Sequence, residues 1–329
     1  MTKAIVASTR EFIRLHPRWT VAVQLAAFAV FAGFVLWAIR GNIDDAGERV
    51  RDASATDFAL GCAGIAVYYL LFVVGWMWIL RAWGVRIAYG AALRAEMVSM
   101  LAKYVPGGVW TPAARVVATR RAGITDTGLV TASILLEAGV SAVAGVIVFV
   151  VSLATVDGVD APLVPLVVFA VVVVGLLHPR IFGPMASFFV RRLGGQQVRP
   201  LRWSTLVGLL AYYSFTWVVG GVALFFLVRS VGGDPGIETV AFLGGVGAVG
   251  AIVAVLSVFA PSGLGPREAS MYGLLLAVTS PAAALGATVL NRLAITIVEV
   301  LLLVAGGLAL RRRHQRNEAA VTPAAEPSQ

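Results

Sequence analysis

The stretch PSGLGPREASMYGLLLAVTSP, residues 261–281, decides how the rest of the chain can be arranged. It follows a long apolar segment and precedes another, yet it contains several prolines and glycines and the charged residues Arg267 and Glu268. Backbone N–H and C=O groups must be hydrogen-bonded within lipid, so a segment interrupted in this way is not an ordinary membrane-spanning helix. We expect a broken helix that restarts at Pro266, because proline is favoured at the first position of a helix.

The whole chain has the composition of an integral membrane protein. Of its 329 residues 59% are apolar and 13% are charged, with a mean hydropathy of +0.88, whereas soluble domains carry about 25% charged residues. Apolar segments, most of them near the ~20 residues that span a bilayer, occupy residues 19–39, 58–80, 128–156, 162–177, 203–228, 238–260 and 282–310. The sequence therefore predicts one membrane domain over residues 19–310. An N-terminal segment (1–18) precedes it, and a basic, then disordered, tail (311–329) follows.

The charged residues predict the orientation of these segments. Arginines are concentrated in every second loop between the apolar segments and in the tail RRRHQR at residues 311–316. Such a concentration of arginine is typical of cytoplasmic loops. The net charge of +9 is thus a topology signal and not an indication of nucleic-acid binding. If both termini are cytoplasmic, the chain must cross the membrane an even number of times. The apolar segments above number seven, so residues 261–281 would supply the eighth crossing. We expect an all-α polytopic membrane protein with about eight transmembrane segments and two Pro/Gly-interrupted re-entrant or broken-helix elements.

The second interruption is KYVPGGVW, residues 103–110. After it, Thr111 is expected as a helix N-cap with Pro112 at the first helical position, and the helix should run to Arg121 before Gly123 stops it.

An alternative remains open for this region. Residues 81–121 could form an amphipathic helix and a turn on the membrane surface, with Glu96, Ser99 and Lys103 on its wet face.

In both interruptions a new helix is expected to begin close to basic residues. A helix N-terminus offers free N–H donors and about half a positive charge, which suits a phosphate or a carboxylate. Lys103, Arg115 and Arg267 would add full positive charges. Gly/Pro-interrupted segments at corresponding positions of two halves are typical of a transport site. We expect the two interruptions to form one shared site for an anionic headgroup.

The two motifs, KYVPGGVW and PSGLGPREAS, resemble the paired signatures of the lysylphosphatidylglycerol synthase transmembrane-region family, which is flippase-like. The resemblance implies about eight transmembrane segments, two re-entrant elements and a role in translocating lipids or polyprenyl-linked intermediates. Ser262 and Pro266 depart from the pattern, where we expect glycine and a small aliphatic residue. No aminoacyl-transferase domain is found in the sequence, so the synthase activity is not expected. Together with the charges above, the headgroup-binding residues are predicted to be Lys103, Tyr104, Pro106, Gly107, Gly108, Trp110, Arg115, Pro261, Gly263, Gly265, Arg267 and Glu268.

Three charged residues lie inside the apolar segments: Glu137, Arg292 and Glu299. Charges at this depth cost at least ~2.5 kcal/mol for Arg or Asp, so they face a partner or a wet cavity. They either line the transport pathway or form structural ion pairs, and the sequence leaves both open.

The expected function is a flippase-like transporter that recognises an anionic phospholipid or a polyprenyl-phosphate-linked headgroup. A non-transporting subunit of cell-envelope synthesis, with partner proteins, is one alternative. An intramembrane enzyme with Glu137 or Glu268 as base is another, although no nucleophile, metal set or paired acids support it. We expect no cofactor. The glycines of GVGAVG, residues 245–250, lack the βαβ context of a dinucleotide site and suit helix packing instead. The composition is rich in arginine, alanine, valine and glycine, which favours a bacterial source and a location in the cytoplasmic membrane.

The orientation is testable by cysteine labelling in a Cys62→Ala background. A cysteine replacing Asp157 should react with an impermeant maleimide in intact cells, and a cysteine replacing Arg313 should react only after permeabilisation. Labelling of the Arg313→Cys variant in intact cells would contradict the predicted topology.

Overall fold

A computed structural model describes residues 40–102, 110–156, 163–178, 180–182, 184, 187, 200–257, 260 and 263–321, and these are α-helical with short turns. The first helices are α1 (Ile43–Arg51), α2 (Ala55–Ala82), α3 (Tyr89–Ala102), α4 (Trp110–Arg120) and α5 (Thr127–Ser152). The remaining ones are α6 (Leu163–Leu177), α7 (Trp203–Ser230), α8 (Val240–Leu256), α9 (Pro266–Leu275) and α10 (Pro281–Val321). The predicted segment at residues 19–39 lies outside the described residues.

Five helical stretches are long and apolar enough to cross a membrane: Ala55–Ala82, Thr127–Thr155, Trp203–Ser230, Ile237–Leu256 and Pro281–Ala305. They coincide with predicted segments, so the chain is an all-α, multi-pass membrane protein. The fourth was predicted to continue to residue 260 but ends at Leu256. Ser257, the C-cap residue, already leaves the helical conformation with a ψ of 65°.

The interface between α7 and α8 depends on glycines. A Cβ atom on Gly221 would collide with the Val240 carbonyl oxygen and lie 2.6 Å from the Gly244 backbone nitrogen. A Cβ atom on Gly244 would in turn collide with the Trp217 carbonyl oxygen. Small residues allow helix backbones to approach this closely. The GVGAVG motif lies within α8 and serves packing, as expected.

One end of the bundle, which we call the Ser54 end, brings together α1, the start of α2 and the end of α7. The Ser54 N–H donates to the Ser230 carbonyl at 2.8 Å. Arg49 donates to the Val231 carbonyl at 3.1 Å. α2 and α7 are therefore antiparallel and share this end.

The broken helix predicted at residues 261–281 is confirmed as α9. It begins at Pro266, as predicted, after Gly263 and Gly265, which adopt φ values of +67° and +91°. These left-handed conformations favour glycine. The turn after α9 returns to the Ser54 end, because a Cβ atom on Gly233 would lie 2.8 Å from Thr279 Oγ1. α8 and α9 thus form a hairpin whose tip points away from that end.

The helices α3 and α4 form a second hairpin, inserted between the end of α2 and the start of α5. α4 begins at Trp110 and ends at Arg120, within two residues of the prediction, and Gly123 follows with a φ of +87°. The surface-helix alternative is wrong, because Glu96 and Ser99 are fully buried and α3 packs against α4 and α10. Their burial follows from ion pairing and hydrogen bonding inside the bundle, described below.

The last helix, α10, continues past the predicted end of the membrane domain at residue 310 and reaches Val321. Its final turns are rich in arginine and alanine, which favour helix. Pro323 cannot continue a helix, which places the stop shortly afterwards.

The glycine contacts between α7 and α8 give a stability prediction. Gly221→Ala should lower the free energy of unfolding by ~1–3 kcal/mol, because the added methyl group overpacks a backbone contact. The measurement is thermal unfolding of the detergent-solubilised protein. Gly175→Ala in α6 is the matched control, since a Cβ atom there meets nothing within 4 Å. Equal melting temperatures for the two variants would contradict the packing argument.

Candidate functional site

The centre of the described structure is an ion-pair triad, formed by Glu96 of α3, Arg115 of α4 and Glu137 of α5. The Arg115 guanidinium contacts one carboxylate through Nη2 and the other through Nη1. The side chain of Arg115 is 4% exposed, that of Glu96 is 0% exposed and that of Glu137 is 3% exposed. Charges this deeply buried are tolerated when they are paired. The triad therefore fastens the α3–α4 hairpin to the long helix α5.

Neutral groups complete the surroundings of the triad. Tyr213 of α7 donates its hydroxyl hydrogen to Glu137 Oε1 at 3.2 Å. Arg115 Nε donates to Ser99 Oγ at 3.4 Å, and its guanidinium carbon lies 5.0 Å from the centre of the Trp76 ring. An arginine over a tryptophan face is stabilised by a cation–π interaction. Arg115 was predicted as a headgroup ligand, but the structure balances its charge with two carboxylates.

The start of α9 carries a second polar arrangement. The Gly265 N–H donates to Glu268 Oε2 at 2.7 Å, and Glu268 Oε1 lies 3.6 Å from Arg292 Nη1 of α10. Glu268 thus complements the N-terminus of α9 and is the partner of a basic residue. The capping carboxylate also occupies the Gly265 donor that a phosphate would otherwise use.

Arg267 is the charged residue of α9 that faces α8 and α2. It is half-buried, and its aliphatic part packs at Gly250 of α8. Its guanidinium lies near the phenol groups of Tyr68 and Tyr69. These tyrosines lie at the middle of the 28-residue helix α2, so Arg267 lies beside the middle of a candidate membrane span. Over the ranges that the structure describes, Arg267 forms no ion pair.

Glu299 of α10 is buried and accepts a hydrogen bond of 2.6 Å from the Tyr69 hydroxyl. Arg292 and Glu299 have partners on different helices, since Arg292 contacts Glu268 of α9 and Glu299 contacts Tyr69 of α2. The two residues connect α10 to α9 and to α2.

Tyr68 belongs to a row of aromatic rings that links the surroundings of the two polar regions. Its ring centre lies 5.6 Å from that of Tyr69, whose hydroxyl donates to Glu299. It also lies 5.6 Å from the ring centre of Phe72, which is 5.1 Å from the ring of Tyr213, the donor to Glu137. The shared site stays a prediction, because its first loop lies outside the described residues.

Of the other predicted site residues, some lie in the described helices and turns and some lie outside the described residues. Trp110 is the first residue of α4 and is 50% exposed. Gly263 and Gly265 form the turn before α9. Those outside the described residues are Lys103, Tyr104, Pro106, Gly107, Gly108 and Pro261.

Sequence reasoning missed the tyrosines. Tyr68, Tyr69 and Tyr213 stand within apolar segments, whereas membrane tyrosines are enriched at the two interfaces. A tyrosine at the middle of a span is a signal that a polar partner lies nearby, and it could have indicated the positions of Glu137 and Glu299.

The fold and the site define a polytopic helical membrane protein that carries charged networks at membrane depth. The family model of the lysylphosphatidylglycerol synthase transmembrane region matches residues 24–303. The chain therefore belongs to this family and is a membrane protein tied to lipid metabolism. Comparison with curated proteins finds no match.

The triad gives a prediction about folding. Arg115→Met should destabilise the protein by ~3–5 kcal/mol, because it leaves two buried carboxylates without their shared cation. Thermal unfolding in detergent measures the loss, and Arg81→Met, at the exposed end of α2, is the matched control.

A triple variant separates charge from packing. Adding Glu96→Gln and Glu137→Gln to Arg115→Met should recover much of the lost stability, since the two carboxylates that lost Arg115 are then neutral. If Arg115→Met melts like Arg81→Met, the triad does not hold the hairpin in place.

Proposed function

We propose that the protein is a flippase-like lipid transporter in which Arg267 binds the phosphate of an anionic phospholipid or of a polyprenyl-phosphate-linked headgroup. The observation that carries the proposal is the environment of Arg267 compared with that of two other arginines. Arg115 and Arg292 each contact a carboxylate, whereas Arg267 contacts none within the described residues.

The cost of a cation at membrane depth is the physical argument. A charged side chain at this depth usually pairs with a protein group or faces water or a substrate. A phosphate would supply the missing negative charge through a charge-assisted hydrogen bond, and arginine offers a fork of donors that matches phosphate oxygens. Family membership adds that the protein is tied to lipid metabolism.

The neighbourhood of Arg267 supplies a second donor. Tyr69 donates its hydroxyl hydrogen to Glu299. The Tyr68 hydroxyl donates to no residue in the described part of the chain, and its ring lies at 5.5 Å from Trp217 and 5.6 Å from Phe72. These aromatic contacts fix the direction of the phenol. Arg267 and Tyr68 would together contact the headgroup while the acyl chains stay in the bilayer.

Movement of a lipid requires the site to become accessible from each side of the membrane in turn. The hairpin of α8 and α9 is suited to this, because its tip contains Gly263 and Gly265 and α9 is only ten residues long. Short helix–loop elements with glycines absorb backbone changes of this kind. The Glu268–Arg292 ion pair would keep α9 against α10 between the two states.

The test is a scramblase-type assay in proteoliposomes that contain fluorescent phosphatidylglycerol, with labelled phosphatidylcholine as the neutral-headgroup control. Arg267→Gln should slow phosphatidylglycerol movement about 10- to 100-fold, because a hydrogen bond to a charged group contributes about 1.5–3 kcal/mol. Arg267→Lys should retain part of the rate. Arg81→Gln, the matched surface control, should move lipid like the wild type.

Two results would contradict the proposal. Equal rates for Arg267→Gln and Arg81→Gln would remove Arg267 from the site. Absence of movement of both phosphatidylglycerol and a labelled polyprenyl phosphate by the folded wild-type protein would contradict transport and favour a supporting subunit.

A further inference from the structure

We propose that the headgroup site reaches from Arg267 to Asn291 of α10, where the side-chain amide of Asn291 binds hydroxyl groups of the headgroup. The ligand is then an anionic lipid whose phosphate carries glycerol, a sugar or another polyol. This inference rests on the proposed function, which assigns the phosphate to Arg267, and it adds the chemical class of the group attached to that phosphate.

Asn291 is joined to Arg267 by a short series of contacts across α8 and α9. Arg267 and Met271 are four residues apart in α9 and therefore lie on one face of that helix. Both pack at Gly250 of α8, where a Cβ atom would lie 3.4 Å from Arg267 Cγ and 3.2 Å from Met271 Sδ. The Asn291 amide nitrogen lies 3.7 Å from the same sulfur. A headgroup held by the Arg267 guanidinium can therefore extend along this face of α9 to Asn291.

Asn291 is buried without a strong hydrogen-bonding partner. It is 8% exposed, and its amide donates to the Met271 thioether, which is a weak acceptor. Among the described residues this is the one hydrogen bond of the Asn291 side chain. Burying an amide without its hydrogen bonds costs free energy, and leucine would fill a similar volume without that cost. The amide therefore has hydrogen-bonding capacity for a polar ligand at this position.

The chemistry of the amide selects the class of ligand. Its NH₂ group donates, its carbonyl oxygen accepts, and it carries no charge. Hydroxyl groups also donate and accept, so a polyol matches both halves of the amide. Phosphate oxygens accept and suit the Arg267 guanidinium, whereas an ammonium group donates and would use only the carbonyl half of Asn291. Phosphate binding at Arg267 and hydroxyl binding at Asn291 are thus complementary.

Displacement of a labelled lipid from the purified full chain in detergent tests the proposal. The probe is phosphatidylglycerol with a fluorescent acyl chain. The competitors are unlabelled phosphatidylglycerol and phosphatidylmethanol, which has the same charge and no headgroup hydroxyl. The wild type should bind phosphatidylglycerol about 2- to 10-fold more tightly, the range expected for one net hydrogen bond. Asn291→Leu should bind the two lipids with equal affinity, and Arg267→Gln should bind both more weakly than the wild type does.

Two control variants separate binding from packing. Asn42→Leu removes an asparagine at the start of α1, where its side chain makes no capping hydrogen bond. Met271→Leu removes the sulfur that contacts Asn291 and keeps an apolar side chain of similar size. Both variants should keep the wild-type preference for phosphatidylglycerol.

Equal displacement by the two competitors in the wild type would overturn the proposal, whether or not Asn291→Leu folds. The proposed function would survive that result if Arg267→Gln still binds both lipids weakly. A preference that persists in folded Asn291→Leu would also overturn the proposal and leave Asn291 as a packing residue between α9 and α10. If the wild type binds neither lipid, or if Arg267→Gln binds both like the wild type, the proposed function fails and this inference fails with it.

Discussion

The ion pairs of Arg115 with Glu96 and Glu137 are the interaction on which the rest of the described structure depends. A hairpin of two short helices cannot stay in lipid by hydrophobic burial alone, since its polar side chains and chain reversal need partners there. The triad provides partners for three charged side chains at nearly complete burial and fixes α3 and α4 to α5. Trp76 and Tyr213 extend the same contacts to α2 and α7.

The α8–α9 hairpin also has polar groups that need partners within lipid, and different contacts satisfy them. Its turn is built from glycines with positive φ, and the Glu268 carboxylate satisfies the first N–H group before α9. Arg292 then connects this carboxylate to α10. Arg267 has no carboxylate partner among the described residues, and the proposed headgroup site rests on this difference from Arg115 and Arg292.

The sequence predicted features that depend on local chemistry. Five of the long apolar segments, the helix start at Pro266 and the stop at Gly123 follow from length, proline and glycine, and the structure confirms them. The capping role of Glu268 also depends on local chemistry, because its partner Gly265 is three residues away.

Contacts between distant segments were not predictable in this way. From the sequence, Glu96 was a candidate for the wet face of a surface helix, and its ion pair with Arg115 on the next helix was not predictable. Likewise, Tyr69 and Glu299 are 230 residues apart in sequence, so nothing local indicates their hydrogen bond. Arg115 itself was assigned to a headgroup because a lone sequence does not show which acids reach it.

Native mass spectrometry of the gently extracted protein tests the central claim most directly, which is that Arg267 binds an anionic headgroup. The account predicts that an anionic phospholipid or polyprenyl phosphate remains bound to the wild type and to Arg81→Gln and is lost from Arg267→Gln. The same anionic lipid bound equally to all three proteins, or only zwitterionic lipid bound to the wild type, would contradict it.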